Sequence, residues 1–301
     1  MSDKSRPSPA FELVQHPNGT ASVREIESGQ AMHSIIGAWK EALLLYVQQS
    51  ALRERFLAQS PEDSGAVVVL DVGMGIAANA LCAIECRASL SSDAPSAPIP
   101  LRPLQVLSFE HDLRGIELAL QNPEAFSFLD RHREKVEALL KEHRWKSQDG
   151  SIEWKLFPGD FFQNIRPEMA PEVVFYDFYA PSSCPHLWSV ESLTQVRKLG
   201  AHREARGLRM DLFTYSAATP IRAALVLAGF WVGYGTRTPS KAETTLASTS
   251  LKALSQPLGT EWLEKIQRSA RPFPWGWPEE KRDFRILLEE LGRSPHFRSK
   301  A

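Results

Sequence analysis

The sequence predicts an α/β protein built on a mostly parallel sheet with helices on both faces. Short apolar segments typical of buried strands alternate with helical segments over residues 66–248, and this alternation is typical of a doubly wound sheet. The first of these segments, residues 66–71, is apolar over most of its length, as in strands covered on both faces. A Gly-x-Gly turn follows it directly. Because ligands bind at such turns in open α/β sheets, a Rossmann-like, ligand-binding domain is expected.

Seven strands are predicted for this sheet. They are residues 66–71, 104–109, 152–157, 172–176, 209–214, 230–233 and 244–248. The segments between them show helical spacing of apolar residues or helix-ending residues, such as Gly229 after a predicted helix. These predicted helices are residues 79–90, 115–121, 126–144, 187–199 and 219–228. Turn-forming residues predict a linker at 59–65, and a Ser/Pro-rich stretch predicts a loop at 89–103.

The flanking segments predict a three-part organisation. An N-terminal extension, residues 1–60, is expected to contain a disordered start at 1–9, a hairpin of 11–14 with 21–26, and a helix over 31–50. Residues 61–250 form the predicted α/β domain. Residues 251–301 are predicted to be a C-terminal helical appendage, with a helix at 279–291 and a small excess of basic residues.

Composition excludes several classes of protein. The 301 residues are 43% hydrophobic, enough for a large core, and the net charge of −1 is unlike that of a strongly basic nucleic-acid-binding protein. No apolar stretch approaches the roughly 20 residues of a membrane span, and the first residues lack the apolar region of a secretory signal. Only three cysteines occur, and Cys82 and Cys86 have no second pair with which to bind zinc. A cytoplasmic protein without a membrane or metal partner is expected.

Acidic residues at successive strand ends predict a nucleoside-containing cofactor. The turn Gly73–Gly75 allows close approach of a ligand, and Glu110 ends the next strand, where it can accept hydrogen bonds from both ribose hydroxyls. Asp160 and Phe161 follow the third strand and can bind an adenine amino group and cover its ring. Asp160 is equally suited to capping the next helix. The motif spacing alone leaves a nicotinamide dinucleotide open.

A further acid predicts the substrate side of the cleft. Asp177 ends the fourth strand, and Tyr179 and Pro181 follow it as candidate cleft walls. The alternative is that Asp177 caps the helical segment that carries Trp188. A substrate-side role for Asp177 is favoured over helix capping, because several such acids fall at successive strand ends.

Three longer motifs resemble one family, the methyltransferase domain of MnmC. The motifs are Gly73-Met74-Gly75-Ile76-Ala77-Ala78-Asn79, then Asp177-Phe178-Tyr179-Ala180-Pro181 with Cys184-Pro185-His186-Leu187-Trp188, and Phe213-Thr214-Tyr215-Ser216-Ala217. The segment from Asn18 to Glu41 and the block that begins at Lys241 are also similar. The resemblance covers residues 11–250. It departs from the family at Ala77, where the family has glycine, at Cys184, where it has asparagine, and in lacking the oxidase domain.

The resemblance implies a class I S-adenosylmethionine-dependent methyltransferase with a seven-stranded, mostly parallel sheet. It implies that S-adenosylmethionine is held by Gly73, Met74, Gly75, Asn79, Glu110, Asp160 and Phe161. It further implies that Asp177 is catalytic and that the substrate contacts Tyr179, Pro181, Trp188 and Lys241. The implied reaction is N-methylation of the aminomethyl group of a modified wobble uridine, with tRNA as partner and a separate oxidoreductase acting upstream.

Two alternatives stay open at this level. The first is a methyltransferase of the same fold that acts on a small amine or on another macromolecule. The second is a degenerate, non-catalytic member of the family. The presence of Glu110, Asp160 and Asp177 together favours an active enzyme. A nicotinamide-dependent oxidoreductase is disfavoured, since no matching catalytic histidine or Tyr-Lys pair is found.

Overall fold

The chain begins with a β-hairpin and continues into an eight-stranded sheet. In this computed structural model the described residues are 10–32, 35–58, 63–93, 101–237 and 242–298. The predicted disordered start, the linker residues 59–62, the loop residues 94–100 and the candidate substrate residue Lys241 lie outside them. The strands are β1 (Phe11–Gln15), β2 (Ala21–Glu25), β3 (Val67–Val72), β4 (Leu104–Glu110), β5 (Arg144–Lys146), β6 (Ile152–Pro158), β7 (Val173–Tyr176), β8 (Asp211–Thr214), β9 (Trp231–Tyr234) and β10 (Thr245–Ser248).

The sheet has the order β5-β6-β4-β3-β7-β8-β10-β9. Its five central strands, from β6 to β8, pair in parallel, whereas β5, β10 and β9 are antiparallel to their neighbours. The mostly parallel sheet is thereby confirmed, and all seven predicted strands are present. The count of seven was wrong by one, because no strand was predicted for β5 and the helix predicted over 126–144 ran into its first residue, Arg144. His143, with a φ of 54°, ends that helix, and the next three residues pair with β6.

Helices cover both faces of the sheet. They are α1 (Ala38–Ala42), α2 (Leu52–Leu57), α3 (Ala78–Asp93), α4 (Arg114–Leu120), α5 (Ser127–Arg131), α6 (Arg133–Glu142), α7 (Phe161–Asn164), α8 (Val190–Lys198), α9 (Ala201–Glu204), α10 (Thr219–Leu227), α11 (Thr260–Ile266), α12 (Phe284–Arg293) and α13 (Pro295–Arg298). The helix predicted over 31–50 begins later, at Ala38, and continues from α1 into a π-helix at Leu43–Gln48. Gly229 follows α10 with a φ of 90°, as its predicted helix-ending position requires.

Alternate residues of the central strands divide the core between the two faces of the sheet. On one face Val69 and Phe175 pack with the N-terminal hairpin and with α3, while on the other Leu70 and Tyr176 pack with α8 and α10. The C-terminal segment joins the second face through buried side chains, namely Leu258, Trp262, Ile266, Leu287 and Leu291. Both flanking segments therefore contribute to the core of the α/β domain, and the predicted boundaries at 60 and 250 stay predictions.

Two features of the described residues concern membranes and metals. None of their helices has the length and apolarity needed to cross a bilayer. In the same ranges, no group of three or more histidine, cysteine, aspartate and glutamate side chains is arranged to hold a metal ion.

Candidate active site

A cavity of about 1130 Å³ lies at the carboxyl ends of the five parallel strands. Each of these strands contributes at least one lining residue at or just beyond its end, among them Gly73 after β3, Glu110 at the end of β4, Asp160 after β6, Asp177 after β7 and Tyr215 after β8. Ligand cavities in proteins are usually about 300–1,000 Å³. This cavity therefore has room for a nucleoside-sized cofactor together with an acceptor group.

The glycine turn brings the first and fourth of these strand ends into direct contact. Gly73 has a φ of 80°, and a Cβ at this position would lie 2.6 Å from the carbonyl oxygen of Asp177. Because no side chain fits there, glycine allows the turn to pack against the end of β7. Gly73 and Gly75 both line the cavity. Met74, which the sequence also assigned to the cofactor, is 1% exposed and belongs to the core cluster beneath the turn.

Glu110 is held by backbone amides at the centre of the cavity wall. Its Oε2 accepts a hydrogen bond from the Gly75 N–H at 2.8 Å, and its Oε1 accepts one from the Asp112 N–H at 3.0 Å. Burial raises the pKa of this carboxyl group, although the amide hydrogen bonds partly offset the effect. Each oxygen retains a lone pair for a ligand hydroxyl. The carboxylate is thus fixed in position and still able to accept hydrogen bonds from a ribose.

Asp160 fits both of its predicted roles. It caps α7, where its Oδ1 accepts a hydrogen bond from the Gln163 N–H at 3.0 Å, and it also lines the cavity. Phe161, the next residue, is 4% exposed and packs edge-on against Phe109 with 5.0 Å between the ring centroids. It lines the same part of the cavity. An adenine ring placed there would meet a carboxylate and an aromatic wall.

Asp177 is oriented by a residue of the glycine motif. The Asn79 side chain on α3 donates a hydrogen bond from Nδ2 to Asp177 Oδ2 at 2.8 Å. Asn79 is 3% exposed, and it is absent from the residues that line the cavity. Its placement therefore favours orientation of the catalytic candidate over the direct cofactor contact that the sequence suggested.

The four predicted substrate residues have different positions. Tyr179 lines the cavity, and within the described ranges its buried hydroxyl has no hydrogen-bond partner. Pro181 is buried beside it, outside the cavity lining. Trp188 is fully buried and donates a hydrogen bond from Nε1 to the Tyr179 carbonyl oxygen at 3.0 Å, so it supports the loop from beneath. Lys241 lies outside the described residues.

Sequence reasoning assigned no role to one buried acid of the site. Asp71, at the head of the glycine motif, is fully buried and accepts a hydrogen bond from the Ser108 hydroxyl at 2.6 Å. Its Oδ1 has no hydrogen-bond partner in the part of the chain that the structure describes. Burial, together with the negative charges of Asp177 and Glu110, raises its pKa to about 7. Its position in the motif was visible in the sequence, whereas its complete burial was not.

Sequence reasoning also missed the wall supplied by the N-terminal segment. Glu25, Gln30 and Glu41 line the cavity opposite the strand ends. Gln30 connects this segment to the loop after β7: its Oε1 accepts a hydrogen bond from the Ala180 N–H at 3.0 Å, and its Nε2 donates one to the Ser182 hydroxyl at 3.1 Å. The resemblance included Glu41 without giving it a role. Residues of both the hairpin segment and the α/β domain therefore line the cavity.

Comparisons with known proteins agree with this geometry. Residues 123–250 match a family described as S-adenosyl-L-methionine-dependent methyltransferase. This part of the chain is therefore similar to S-adenosylmethionine-dependent methyltransferases. The predicted resemblance to MnmC is confirmed as well: the bifunctional protein MnmC of tRNA 5-methylaminomethyl-2-thiouridine biosynthesis from Pseudomonas entomophila is 26% identical over 193 residues, which are 63% of this chain and 28% of that protein.

Two further similarities concern the length and the fold. An uncharacterised protein of Methanocaldococcus jannaschii is 25% identical over 243 residues, covering 78% of this chain and 58% of that protein. The chain thus spans less than two thirds of the length of these curated relatives. The crystal structure of MnmC2 from Aquifex aeolicus superposes with a TM-score of 0.62 at 20% identity, covering 95% of this chain and 85% of that one. This superposition confirms the Rossmann-like methyltransferase fold.

Proposed function

We propose that this methyltransferase acts on an amine nitrogen held beside Asp177. The observation that carries the proposal is the contact between the glycine turn and the end of β7, where a Cβ on Gly73 would lie 2.6 Å from the backbone of Asp177. A cofactor on this turn and an acceptor on this carboxylate would be neighbours. Asn79 holds the carboxylate at 2.8 Å, so its direction is fixed before either ligand enters. Methyl transfer depends largely on such alignment.

The residues of the wall fit S-adenosylmethionine. Gly73 and Gly75 provide the close backbone approach, the Glu110 carboxylate can accept hydrogen bonds from the ribose hydroxyls, and Asp160 with Phe161 can receive the adenine. When bound, S-adenosylmethionine supplies a methyl group on a sulfonium sulfur, which departs as a neutral thioether when a nitrogen lone pair takes the methyl group. The chain has to align the nitrogen with the methyl group, keep water out of the cavity and provide an acceptor for the proton that the nitrogen releases.

Asp177 is suited to the acceptor side of this chemistry. Its carboxylate can accept hydrogen bonds from the N–H groups of an amine while the nitrogen lone pair points at the methyl group. It can also help to remove the proton that the amine must lose. A carboxylate acceptor would be repelled at this place by the like charge. The site therefore favours an amine over an acid as methyl acceptor.

The first acceptor to consider is the aminomethyl group of a modified wobble uridine in tRNA. The support for this choice is the similarity to proteins named for tRNA 5-methylaminomethyl-2-thiouridine biosynthesis. A separate oxidoreductase upstream would have to release this primary amine. A small amine is the second candidate. Seven carboxylate residues line the cavity, and none of the described lining residues is a lysine or an arginine, which favours a cationic acceptor.

The experiment separates cofactor binding from chemistry. Purified protein is incubated with S-adenosylmethionine and with tRNA that lacks the final wobble methyl group, and the nucleosides are analysed by mass spectrometry. Glu110→Ala should weaken S-adenosylmethionine binding by about tenfold or more, because charge-assisted hydrogen bonds are lost. Asp177→Asn should keep that affinity and reduce turnover by about 100-fold.

Two results would contradict the proposal. Full turnover by the Asp177→Asn variant would remove the catalytic role of Asp177. A wild-type protein that binds S-adenosylmethionine and methylates neither the tRNA nor a panel of primary amines would remove the amine acceptor.

A further inference from the structure

Residues 178–183, here called the 178–183 loop, form the part of the cavity wall that follows Asp177. Neither a strand nor a helix includes these residues, so the hydrogen bonds of a sheet or a helix do not hold them in place. Their position therefore depends on turns and on side chains that reach the loop from other parts of the molecule. Five of the six line the cavity, namely Phe178, Tyr179, Ala180, Ser182 and Ser183.

Three side chains of the α/β domain hold the first half of the loop. The Tyr215 hydroxyl, after β8, donates a hydrogen bond to the Phe178 carbonyl oxygen at 3.1 Å. Trp188 Nε1 and the Cys184 thiol both donate to the Tyr179 carbonyl oxygen at 3.0 Å. All three donors reach backbone carbonyl groups, so they fix the course of the chain directly after β7.

One side chain of the N-terminal segment holds the second half of the loop. Gln30 Oε1 accepts a hydrogen bond from the Ala180 N–H at 3.0 Å, and its Nε2 donates one to the Ser182 hydroxyl at 3.1 Å. The backbone of Gln30 is itself fixed, because its carbonyl oxygen accepts from the Glu25 N–H at 2.9 Å and the next residue, Ala31, forms a bridge with β2. The side-chain amide therefore joins the hairpin segment to the loop across the cavity that both of them line.

We propose that Gln30 is a positioning residue for the methyl acceptor, because it holds the 178–183 loop where the acceptor binds beside Asp177. The inference rests on the proposed function and deepens it, since it assigns the acceptor wall to a contact between the hairpin segment and the loop. On the cofactor side, the Glu110 carboxylate is held by backbone amides of the α/β domain instead. Gln30 should therefore influence acceptor binding and leave cofactor binding unchanged.

A positioning role predicts a particular change in the kinetics. Without the Gln30 amide, the loop would occupy its binding position for a smaller fraction of the time, and the apparent affinity for the acceptor falls with that fraction. At saturating acceptor the loop is ordered by its ligand, so turnover recovers. Gln30→Met, which keeps the length of the side chain and removes the amide, should raise the KM for the acceptor by about tenfold and change kcat by less than about threefold, as expected for the loss of two hydrogen bonds.

Two further variants and a control separate this role from a general loss of structure. Gln30→Glu should retain the wild-type KM within about threefold, because a carboxylate accepts from the Ala180 N–H and the Ser182 hydroxyl can turn to donate to it. Ser182→Ala should raise the KM of the wild type and add nothing to Gln30→Met, because both changes remove the same hydrogen bond. The control is Gln15→Met, at an exposed position of β1 outside the cavity lining, which should behave as wild type.

The experiment combines three measurements on these variants. They are methyl transfer to tRNA that lacks the final wobble methyl group, calorimetric affinity for S-adenosylhomocysteine, and hydrogen exchange of the loop amides followed by mass spectrometry. The loop amides of Gln30→Met should exchange faster than those of Gln30→Glu and Gln15→Met, because they open more often. The affinity for S-adenosylhomocysteine should stay within about twofold of wild type in all variants.

The outcomes distinguish this inference from the proposed function. An unchanged KM in Gln30→Met, with methyl transfer intact, would overturn the positioning role and leave the proposed function standing. A Gln30→Glu variant as impaired as Gln30→Met, or an equal loss of S-adenosylhomocysteine affinity, would also overturn it, since the role would then be structural. Faster loop exchange in Gln30→Met, together with a wild type that methylates no amine, would contradict the amine acceptor and still support Gln30 as the residue that positions the loop.

Discussion

Buried acidic side chains have different partners at the two ends of the parallel sheet. At the amino ends of the strands, acidic side chains are neutralised by arginines. At the carboxyl ends, where the cavity lies, Asp71, Glu110 and Asp177 are buried or half-buried and accept hydrogen bonds from backbone amides, a side-chain amide and a hydroxyl. The same residue type is therefore structural at one end and available for ligands at the other.

The amino end is a closed ionic network. Arg55 pairs with Glu172 at 3.0 Å and also with Asp211, and Arg102 pairs with Glu172 at 2.8 Å. Burial alone would raise the pKa of Asp211, but the charges of Arg55 and Arg209 bring it below its usual value. These residues connect α2, the segments that precede β4 and β7, and the first residue of β8. Both oxygens of Glu172 and both oxygens of Asp211 therefore already have a partner in the protein.

The carboxyl end has the reverse character. The pKa of Asp71 is raised to about 7, and that of Glu110 is also raised, in both cases chiefly by burial. No arginine or lysine of the described residues lines the cavity. Raised pKa values of buried acids in a cleft are typical of functional sites. The difference between the two ends teaches that the partner of a buried acid, rather than its burial, indicates its role.

The largest expected effect comes from breaking the amino-end network. Arg55→Met should lower the free energy of unfolding by about 3–5 kcal/mol, because it leaves Glu172 and Asp211 buried without that partner. Urea denaturation measures this loss. The matched control is Arg293→Met, whose pair with Glu289 is exposed on both sides and is worth less than about 1 kcal/mol. The affinity for S-adenosylmethionine should be the same in both variants, and a selective loss in Arg55→Met would mean that the two ends are coupled.

The next effect is a dependence of stability on pH with opposite signs at the two ends. The folded-state pKa of Asp71, about 7, is above its usual value of 3.8. Its contribution to stability is therefore complete below about pH 4 and is lost as the pH rises to 7, at up to about 1.4 kcal/mol per pH unit. Asp211 has a lowered pKa, so its contribution is present above pH 4 and is lost on further acidification.

Two asparagine variants measure these signs. Subtracting the unfolding free energy of Asp71→Asn from that of the wild type should give a difference that falls steadily from pH 4 to pH 7. The corresponding difference for Asp211→Asn should be constant above pH 5 and should shrink below pH 4. A flat difference for Asp71→Asn would show that the buried carboxyl is ionised throughout, and the contrast between the ends would then concern geometry alone.

A smaller effect tests the close contact at the carboxyl end. Gly73→Ala should cost about 2–3 kcal/mol, the sum of left-handed backbone strain and overpacking against Asp177. It should also reduce S-adenosylmethionine affinity, because the turn must move away from β7. Gly229→Ala is the control: its φ is 90°, but a Cβ there meets nothing within 4 Å, so only the backbone strain of about 1 kcal/mol remains. Equal costs for the two variants would contradict the packing of the turn on the strand end.

Much of this arrangement follows from local patterns in the sequence. The seven predicted strands are present because each is a short apolar run bounded by turn residues, and the glycine turn follows from backbone freedom at Gly73. The acids at strand ends were predictable because parallel strands bring their carboxyl ends to one edge. The helix-ending role of Gly229 was predictable from its place after an apolar helix.

Other features depend on contacts between distant segments. Strand β5 is three residues long and forms only because β6 pairs with it, and helix α1 begins late because residues 31–32 continue from the hairpin. The role of Trp188 was expected to be contact with the substrate, whereas its burial beneath Tyr179 depends on the packing of β7 and α8. The wall that Glu41 and Gln30 provide requires the hairpin to fold across the strand ends, which periodicity does not reveal.

The smallest expected effect concerns the departure of the glycine motif at residue 77. Ala77 has a φ of 63°, a conformation that costs an L-residue about 1 kcal/mol relative to glycine, so Ala77→Gly relieves strain. The substitution also removes a methyl group that is fully buried in the core cluster, which costs about 0.8 kcal/mol. The two contributions nearly cancel, and the free energy of unfolding should change by less than about 1 kcal/mol.

The same variant tests whether the departure weakens the carboxyl-end site. Ala77 is absent from the residues that line the cavity, and its N–H donates to the Met74 carbonyl oxygen at 2.8 Å, which closes the turn. Because the methyl group packs into the core and away from the ligand, calorimetry should give an S-adenosylmethionine affinity within about twofold of wild type, equivalent to less than about 0.5 kcal/mol. A tenfold gain in affinity would mean that alanine at this position distorts the turn, and that restoring glycine restores binding.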